Sequence, residues 1–120
     1  MKNVIKIHVP MDYVDLGFDT RYLAGTSLLD IPNDLEAYII DRLTPILKYA
    51  SDVTCFDAKK YVSTGQVNQF SSVDYKIFVL YGVEDIDLVE RLIIEYFTEL
   101  KAKSLRGLRY EINGELKELR

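Results

Sequence analysis

The stretch that decides the fold is residues 73–83, "VDYKIFVLYGV". Tyr75, Ile77 and Val79 alternate with Phe78 and Leu80, so both faces of the run are apolar. A strand of that kind belongs in the middle of a sheet, covered on both sides. Gly82 is expected to end it. Directly after comes "EDIDLVERLIIEYFTELKAK", residues 84–103, which reads as a helix. Glu84, Asp85 and Asp87 load its first turn with negative charge, and Lys101 and Lys103 load its last with positive charge. Both placements complement the helix dipole. Val89, Leu92, Ile93, Tyr96, Phe97 and Leu100 recur at helical spacing and make the face to be buried.

Working outward, residues 108–119, "LRYEINGELKEL", carry Asn113-Gly114 between two short alternating runs. Asn-Gly accepts positive φ at both positions and is a strong hairpin signal. A two-residue loop sets Arg109 opposite Glu118 and Tyr110 opposite Lys117, both favourable cross-strand pairs. Upstream, residues 52–62 turn extended through Val53, Cys55, Phe56, Tyr61 and Val62, and "STGQVNQFSS" (63–72) follows as a polar connection. Before them, "NDLEAYIIDRLTPILKYA" (33–50) has an apolar helical face of Leu35, Tyr38, Ile39, Leu43, Ile46 and Leu47. Asn33 with Glu36 three residues on suggests a capping box. Proline within a helix costs ~3 kcal/mol, so Pro45 predicts a kink near Thr44 or a second short helix capped by Thr44. The chain opens with "VIKIHVP" (4–10), where Ile5, Ile7 and Val9 face one way and Lys6 and His8 the other.

The order strand, helix, strand, strand, helix, strand, plus one strand, implies an α+β fold. It is the ferredoxin-like βαββαβ arrangement with a C-terminal β-hairpin extension, two helices packing on one face of an antiparallel sheet. At 120 residues one domain spanning 1–120 is expected, interrupted by a long irregular loop over 10–32. The same order resembles the RNA-recognition motif, which reads RNA with aromatics on its first and third strands. Here Lys6 and His8 stand where the first strand would need an aromatic. "DYKIFVLYG" lacks the basic-Gly-aromatic-Gly opening as well, so membership is not assigned.

Composition bounds the function. A net charge of −4 disfavours nucleic acid as the main partner, without closing the question. One cysteine, Cys55, cannot form an intramolecular disulfide, which suits a reducing cytoplasm. No apolar run is long enough for a signal peptide or a membrane span. Phosphate-loop, dinucleotide and nucleophile-elbow spacings are missing.

Individual residues offer limited chemistry. His8 is the only histidine, so zinc lacks partners, and it reads as a strand residue on the wetter face. Cys55, in an apolar strand, reads as an inert core residue rather than a nucleophile paired with His8. Asp12 and Asp15 are the weak metal candidates, ahead of Asp19 and Asp30 in the same loop, but no EF-hand spacing connects them. Tyr13, Phe18, Arg21 and Tyr22 mix aromatic and charged groups in that loop and make it a candidate contact surface, with Lys6 and His8 beside it.

The reading that follows is a small non-enzymatic interaction protein of the cytoplasm, self-associating as a homodimer, without a cofactor or a membrane. It would occupy a site on a protein partner, as an inhibitor encoded by a phage or mobile element does. The alternative is a nucleic-acid-binding module or metal-dependent nuclease on the same fold. Lys6, His8, Lys101, Lys103, Arg106 and Arg109 would then meet phosphates, and Asp12 or Asp15 a metal. A third reading is a small-ligand sensor with its site at a dimer interface.

Overall fold

A computed structural model describes residues 3–11, 34–63, 65–67, 69–101 and 108–119. Its elements run β1 (Asn3–Pro10), α1 (Leu35–Leu47), β2 (Asp52–Ser63), β3 (Phe70–Val83), α2 (Ile86–Lys101), β4 (Leu108–Ile112) and β5 (Glu115–Leu119). The strands form one antiparallel sheet in the order β2-β3-β1-β4-β5. This is the ferredoxin-like arrangement, with the terminal hairpin adding β5 beyond β4.

Period-two alternation sorts the side chains. Ile5, Ile7 and Val9 of β1, Phe78 and Leu80 of β3, and Leu108 and Tyr110 of β4 form one buried cluster with Ile39, Leu43 and Ile46 of α1 and Val89, Ile93 and Phe97 of α2. Both helices therefore cover the same sheet face. On the other face Tyr75, Ile77 and Val79 are also buried, at 6%, 5% and 3% exposure, with Val4, Ala58 and Val73 packed against them. The apolar centre of that face is thus not left open to solvent, contrary to what two helices on one side alone would suggest.

The helix ends differ in detail from the sequence reading. Asp34 caps α1, its carboxylate accepting from the Ala37 amide at 3.1 Å, while Asn33 lies outside the described residues. Glu36 turns to Lys76 instead of closing a capping box. α1 continues through Pro45 to Leu47. Pro45 falls in the last turn, where Lys48, Tyr49 and Ala50 already close the helix with their own amide bonds. A proline there withholds one amide bond, the one the Asp41 carbonyl would accept, and leaves the closing hydrogen bonds intact. The Thr44 hydroxyl donates to the Ile40 carbonyl at 2.8 Å. Asp85 caps α2 by accepting from the Leu88 amide at 3.1 Å.

Two glycines carry special geometry. Gly82 sits at φ +67° where the β1–β3 register slips between Asn3 and Ile5, so it bends β3 and leaves Val83 to pair with Asn3. Gly114 (φ +86°) follows Asn113 (φ +50°) in the terminal hairpin, whose register pairs Arg109 with Glu118 and Tyr110 with Lys117 as the sequence requires. β3 begins at Phe70, so the end of the polar connection is already strand.

A polar clamp ties this hairpin to α2. The Glu90 carboxylate accepts from the Tyr110 hydroxyl at 3.1 Å and from the Lys117 ammonium at 2.9 Å. Hydrogen bonding to Lys117, aided by Tyr110, holds the Glu90 carboxyl below its ordinary pKa, although burial opposes the shift. The stabilisation from Glu90 is therefore complete above the unfolded carboxyl pKa and fades as pH falls through the lower folded value. Glu90→Ala should lower stability by about 1–2 kcal/mol at neutral pH, discounted for solvent around the pair. The difference from the parent should shrink towards zero in urea titrations at progressively more acid pH.

Candidate functional site

The face turned away from the helices carries the polar residues that alternate with the core. β1 lies between β3 and β4, pairing His8 with Ile77 and with Arg109, and Lys6 with Val79 and with Glu111. On the far side of β3, Phe56 pairs with Ile77 and Ala58 with Tyr75. One row across the sheet therefore reads Phe56, Ile77, His8, Arg109. Lys6, His8, Phe56, Ala58, Tyr75, Ile77, Arg109 and Glu111, with Lys59 and Lys60, line a groove of about 350 Å³. That volume lies within the range of small-molecule sites.

Its floor is apolar and its rim is charged. Phe56 is half exposed, while Tyr75 and Ile77 are buried beneath the groove. The Lys60 ammonium stands 6.0 Å from the centre of the Tyr75 ring, a cation–π contact. His8 Nε2 lies 3.2 Å from Glu111 Oε2. An ionised carboxylate only accepts, so Nε2 carries the proton of this bond. Arg109 Nε is buried and makes no hydrogen bond, being 3.8 Å from Glu118 Oε1. The Arg109 side chain nevertheless lines the groove, and its positive charge there favours a bound anion.

A second depression lies around Lys76 on the helix-facing side. Its ammonium donates to Asp57 at 2.7 Å and lies 3.4 Å from Glu36. Hydrogen bonding to Asp57 first, then to Glu36, raises the Lys76 pKa against the effect of burial. This cation is already neutralised by the fold and has a structural explanation.

Of the residues singled out from sequence, Lys6 and His8 are brought together at the groove. Tyr13, Phe18, Arg21, Tyr22, Asp12 and Asp15 lie outside the described residues. Among the described residues no group of three or more His, Cys, Asp or Glu side chains could hold a metal ion. No helix among them is long and apolar enough to cross a membrane. Cys55 is exposed, not buried in the core. It pairs with Phe78, and so lies on the opposite sheet face from His8. That separation rules out a Cys55–His8 catalytic pair. Arg109, a phosphate contact in the alternative reading, also lines the groove, whereas Phe56, Tyr75 and Glu111 were not singled out from sequence as site residues. Their signal was parity: they occupy the same-face positions of β2, β3 and β4 as His8 does of β1.

No family model and no curated protein matches the chain. Among solved structures it is similar to a phage S-adenosylmethionine (SAM) lyase in complex with S-methyl-5'-thioadenosine. The TM-score is 0.55 at 14% identity, covering 98% of this chain and 88% of that one. At this identity the likeness shows the fold alone. It nevertheless corrects the expectation of a non-enzymatic interaction protein acting on a protein partner. The fold, almost from end to end, is one that serves an enzyme in that protein.

Cys55 supplies a check on the face assignment. Burial of its surroundings raises the thiol pKa above its ordinary 9.0, with nearby Lys76 lowering it less and Glu36 and Asp57 adding to the rise. Despite its exposure, Cys55 should therefore react with a disulfide reagent at pH 8 more slowly than a free cysteine, gaining rate well above pH 9. Rapid labelling at pH 8 would contradict this environment.

Proposed function

We propose that this chain is a lyase acting on S-adenosylmethionine, with the groove over β1–β4 as its site. The observation that carries the reading is the end-to-end likeness to the phage SAM lyase. The groove supports it, because it offers partners for the adenine, the carboxylate and the α-ammonium of that substrate. Phe56 and the edge of Tyr75 provide an aromatic wall for adenine. Arg109, with Lys6 and Lys60 nearby, suits the carboxylate, and Glu111 suits the α-ammonium.

The chemistry follows from atom balance. Sulfonium sulfur in the substrate carries a methyl group, the adenosine C5' and the Cγ of an aminobutyrate chain. S-Methyl-5'-thioadenosine keeps the first two, so the bond that breaks is S–Cγ. A lyase adds no water; elimination to an alkene would need a base to take a proton, whereas closure of Cγ onto another atom of the substrate needs none. The substrate's own carboxylate oxygen attacks Cγ, and the C–S electron pair passes to sulfur. The products are S-methyl-5'-thioadenosine and homoserine lactone. No proton is transferred, and carboxylate and sulfonium charges disappear together.

This route needs neither a nucleophile from the protein nor a metal. It needs the carboxylate folded onto Cγ and water kept out, a matter of positioning and local polarity. In this reading Arg109 orients the carboxylate from one side, and the apolar floor of Tyr75 and Ile77 disfavours the charge-separated ground state. His8 is a positioning residue, holding Glu111 through its 3.2 Å bond.

The test is incubation with S-adenosylmethionine in ¹⁸O-labelled water, with products read by mass spectrometry. Equal amounts of S-methyl-5'-thioadenosine and homoserine lactone, with no solvent oxygen on Cγ, are expected. Unchanged substrate, solvent oxygen at Cγ, or S-adenosylhomocysteine would each reject the assignment. Arg109→Ala should raise KM for the substrate roughly 10–100-fold, as loss of a charge-assisted contact does. It should leave the affinity for S-methyl-5'-thioadenosine, which has no carboxylate, unchanged.

A further inference from the structure

Tyr75 is buried, yet it lines the groove. It clusters with Ile77 and Val79, and Ala58 and Val73 pack against that cluster, so its surroundings are apolar. A cation nevertheless stands over it, the Lys60 ammonium 6.0 Å from the ring centre. The register brings the two together. Ala58 pairs with Tyr75 and Lys60 with Val73, which puts Lys60 on the face of Tyr75 and one diagonal step away. Lys60 is half-buried there, whereas its neighbour Lys59 is exposed.

A ring face in apolar surroundings attracts cations in general, and S-adenosylmethionine brings two. Its α-ammonium has three N–H donors and is served by a carboxylate, here Glu111. Its sulfonium has no donor, and an aromatic face holds such a cation without one. The two candidates for the ring differ in what they give up. A lysine ammonium is strongly hydrated and sits on a flexible stem, so it regains water readily on leaving the ring. The strand order also fits. β3, with Tyr75, lies between β2, which carries Phe56, and β1 and β4, which carry His8, Arg109 and Glu111. The sulfonium likewise lies between the adenosine and the aminobutyrate chain.

We propose, resting on the lyase reading, that the face of Tyr75 is the sulfonium subsite of this groove and that Lys60 is its built-in competitor. The substrate's sulfonium displaces the Lys60 ammonium from the ring. Breaking S–Cγ then turns the sulfonium into a neutral thioether, which the ring face holds less well than it holds an ammonium. Lys60 returns to Tyr75, and its return drives S-methyl-5'-thioadenosine out of the groove. No bond to the protein is made or broken in this exchange.

A pair of ligands without a carboxylate isolates the effect, because contacts of Arg109 or Lys60 with that group do not enter. They are S-methyl-5'-thioadenosine and its S-methylated sulfonium, which differ by one methyl group and one positive charge. In calorimetric titration of the full chain the sulfonium should bind roughly 3–30-fold more tightly than the thioether. Tyr75→Phe should keep that preference and Tyr75→Leu should lose it. Lys60→Ala, at a position outside the core, tests the competitor without disturbing Tyr75. It should tighten the neutral thioether severalfold, which a lysine acting only through its charge would not do. Equal binding of the two ligands, a preference that survives Tyr75→Leu, or a Lys60→Ala protein no tighter for the thioether would overturn the subsite and leave the lyase reading standing. Binding of neither ligand would overturn both.

Discussion

The placement of β1 between β3 and β4 is the constraint on which the rest depends. Its antiparallel pairing to both neighbours brings residues far apart in the chain, such as His8, Ile77 and Arg109, into one row. Because side chains alternate, that single registration decides two things together. Ile5, Ile7 and Val9 go under the helices and are fully buried, and Lys6 and His8 go to the opposite face. A slip of one residue would bury a lysine and a histidine and expose three aliphatic side chains. Burial of those three contributes about 1.5–3 kcal/mol each, so the register is strongly held. The groove is therefore positioned by the same burial that builds the core.

Charges on the helix side are arranged differently from those on the groove side. Around the core they are closed pairs: Lys76 with Asp57 and Glu36, and Glu90 with Tyr110 and Lys117. Each has its demand met within the fold, and each pair ties a strand to an element beside it. On the groove side Arg109 retains a buried Nε without a hydrogen bond, and Glu111 is shared with His8 alone among the described contacts. The Tyr96 hydroxyl is likewise buried without a hydrogen bond on the helix side, but it is uncharged, whereas Arg109 brings its charge to the groove. That contrast, more than the size of either depression, distinguishes the groove from the Lys76 cluster.

Much of the fold was legible because it rests on local, periodic signals. Both apolar faces of residues 75–80 identified the central strand, Asn113-Gly114 fixed the hairpin and its register, and the spacing from Val89 to Phe97 identified the buried helix face. Where the sequence misled, position within an element was decisive. Pro45 is tolerated because it falls in the closing turn of α1, and Cys55 is exposed because its strand is at the edge. Strand order is a long-range property, and composition carries no trace of it. The site was harder still to see. Phe56, Tyr75, Arg109 and Glu111 are ordinary residues at scattered positions, and only the strand order makes them neighbours. The proposed internal displacement also calls on no nucleophile, base or metal set, the groups whose spacing a sequence can display.

That last point bears on how so plain a set of side chains could serve a lyase. In the proposed reaction, opposite charges on one molecule cancel as the transition state forms. Water stabilises the separated charges of the ground state more than the dispersed charge of the transition state, so removing water lowers the barrier. A protein gains rate here by offering an apolar floor, which β3 provides with Tyr75 and Ile77. Cations cut both ways: an arginine that grips the carboxylate too well stabilises the state to be left behind. A guanidinium at the groove's edge, contacting the carboxylate oxygen that does not attack, orients the group and leaves the other oxygen poorly solvated. Arg109 on β4, across β1 from the aromatic wall at Phe56, stands on the side of the groove where that division of roles is possible.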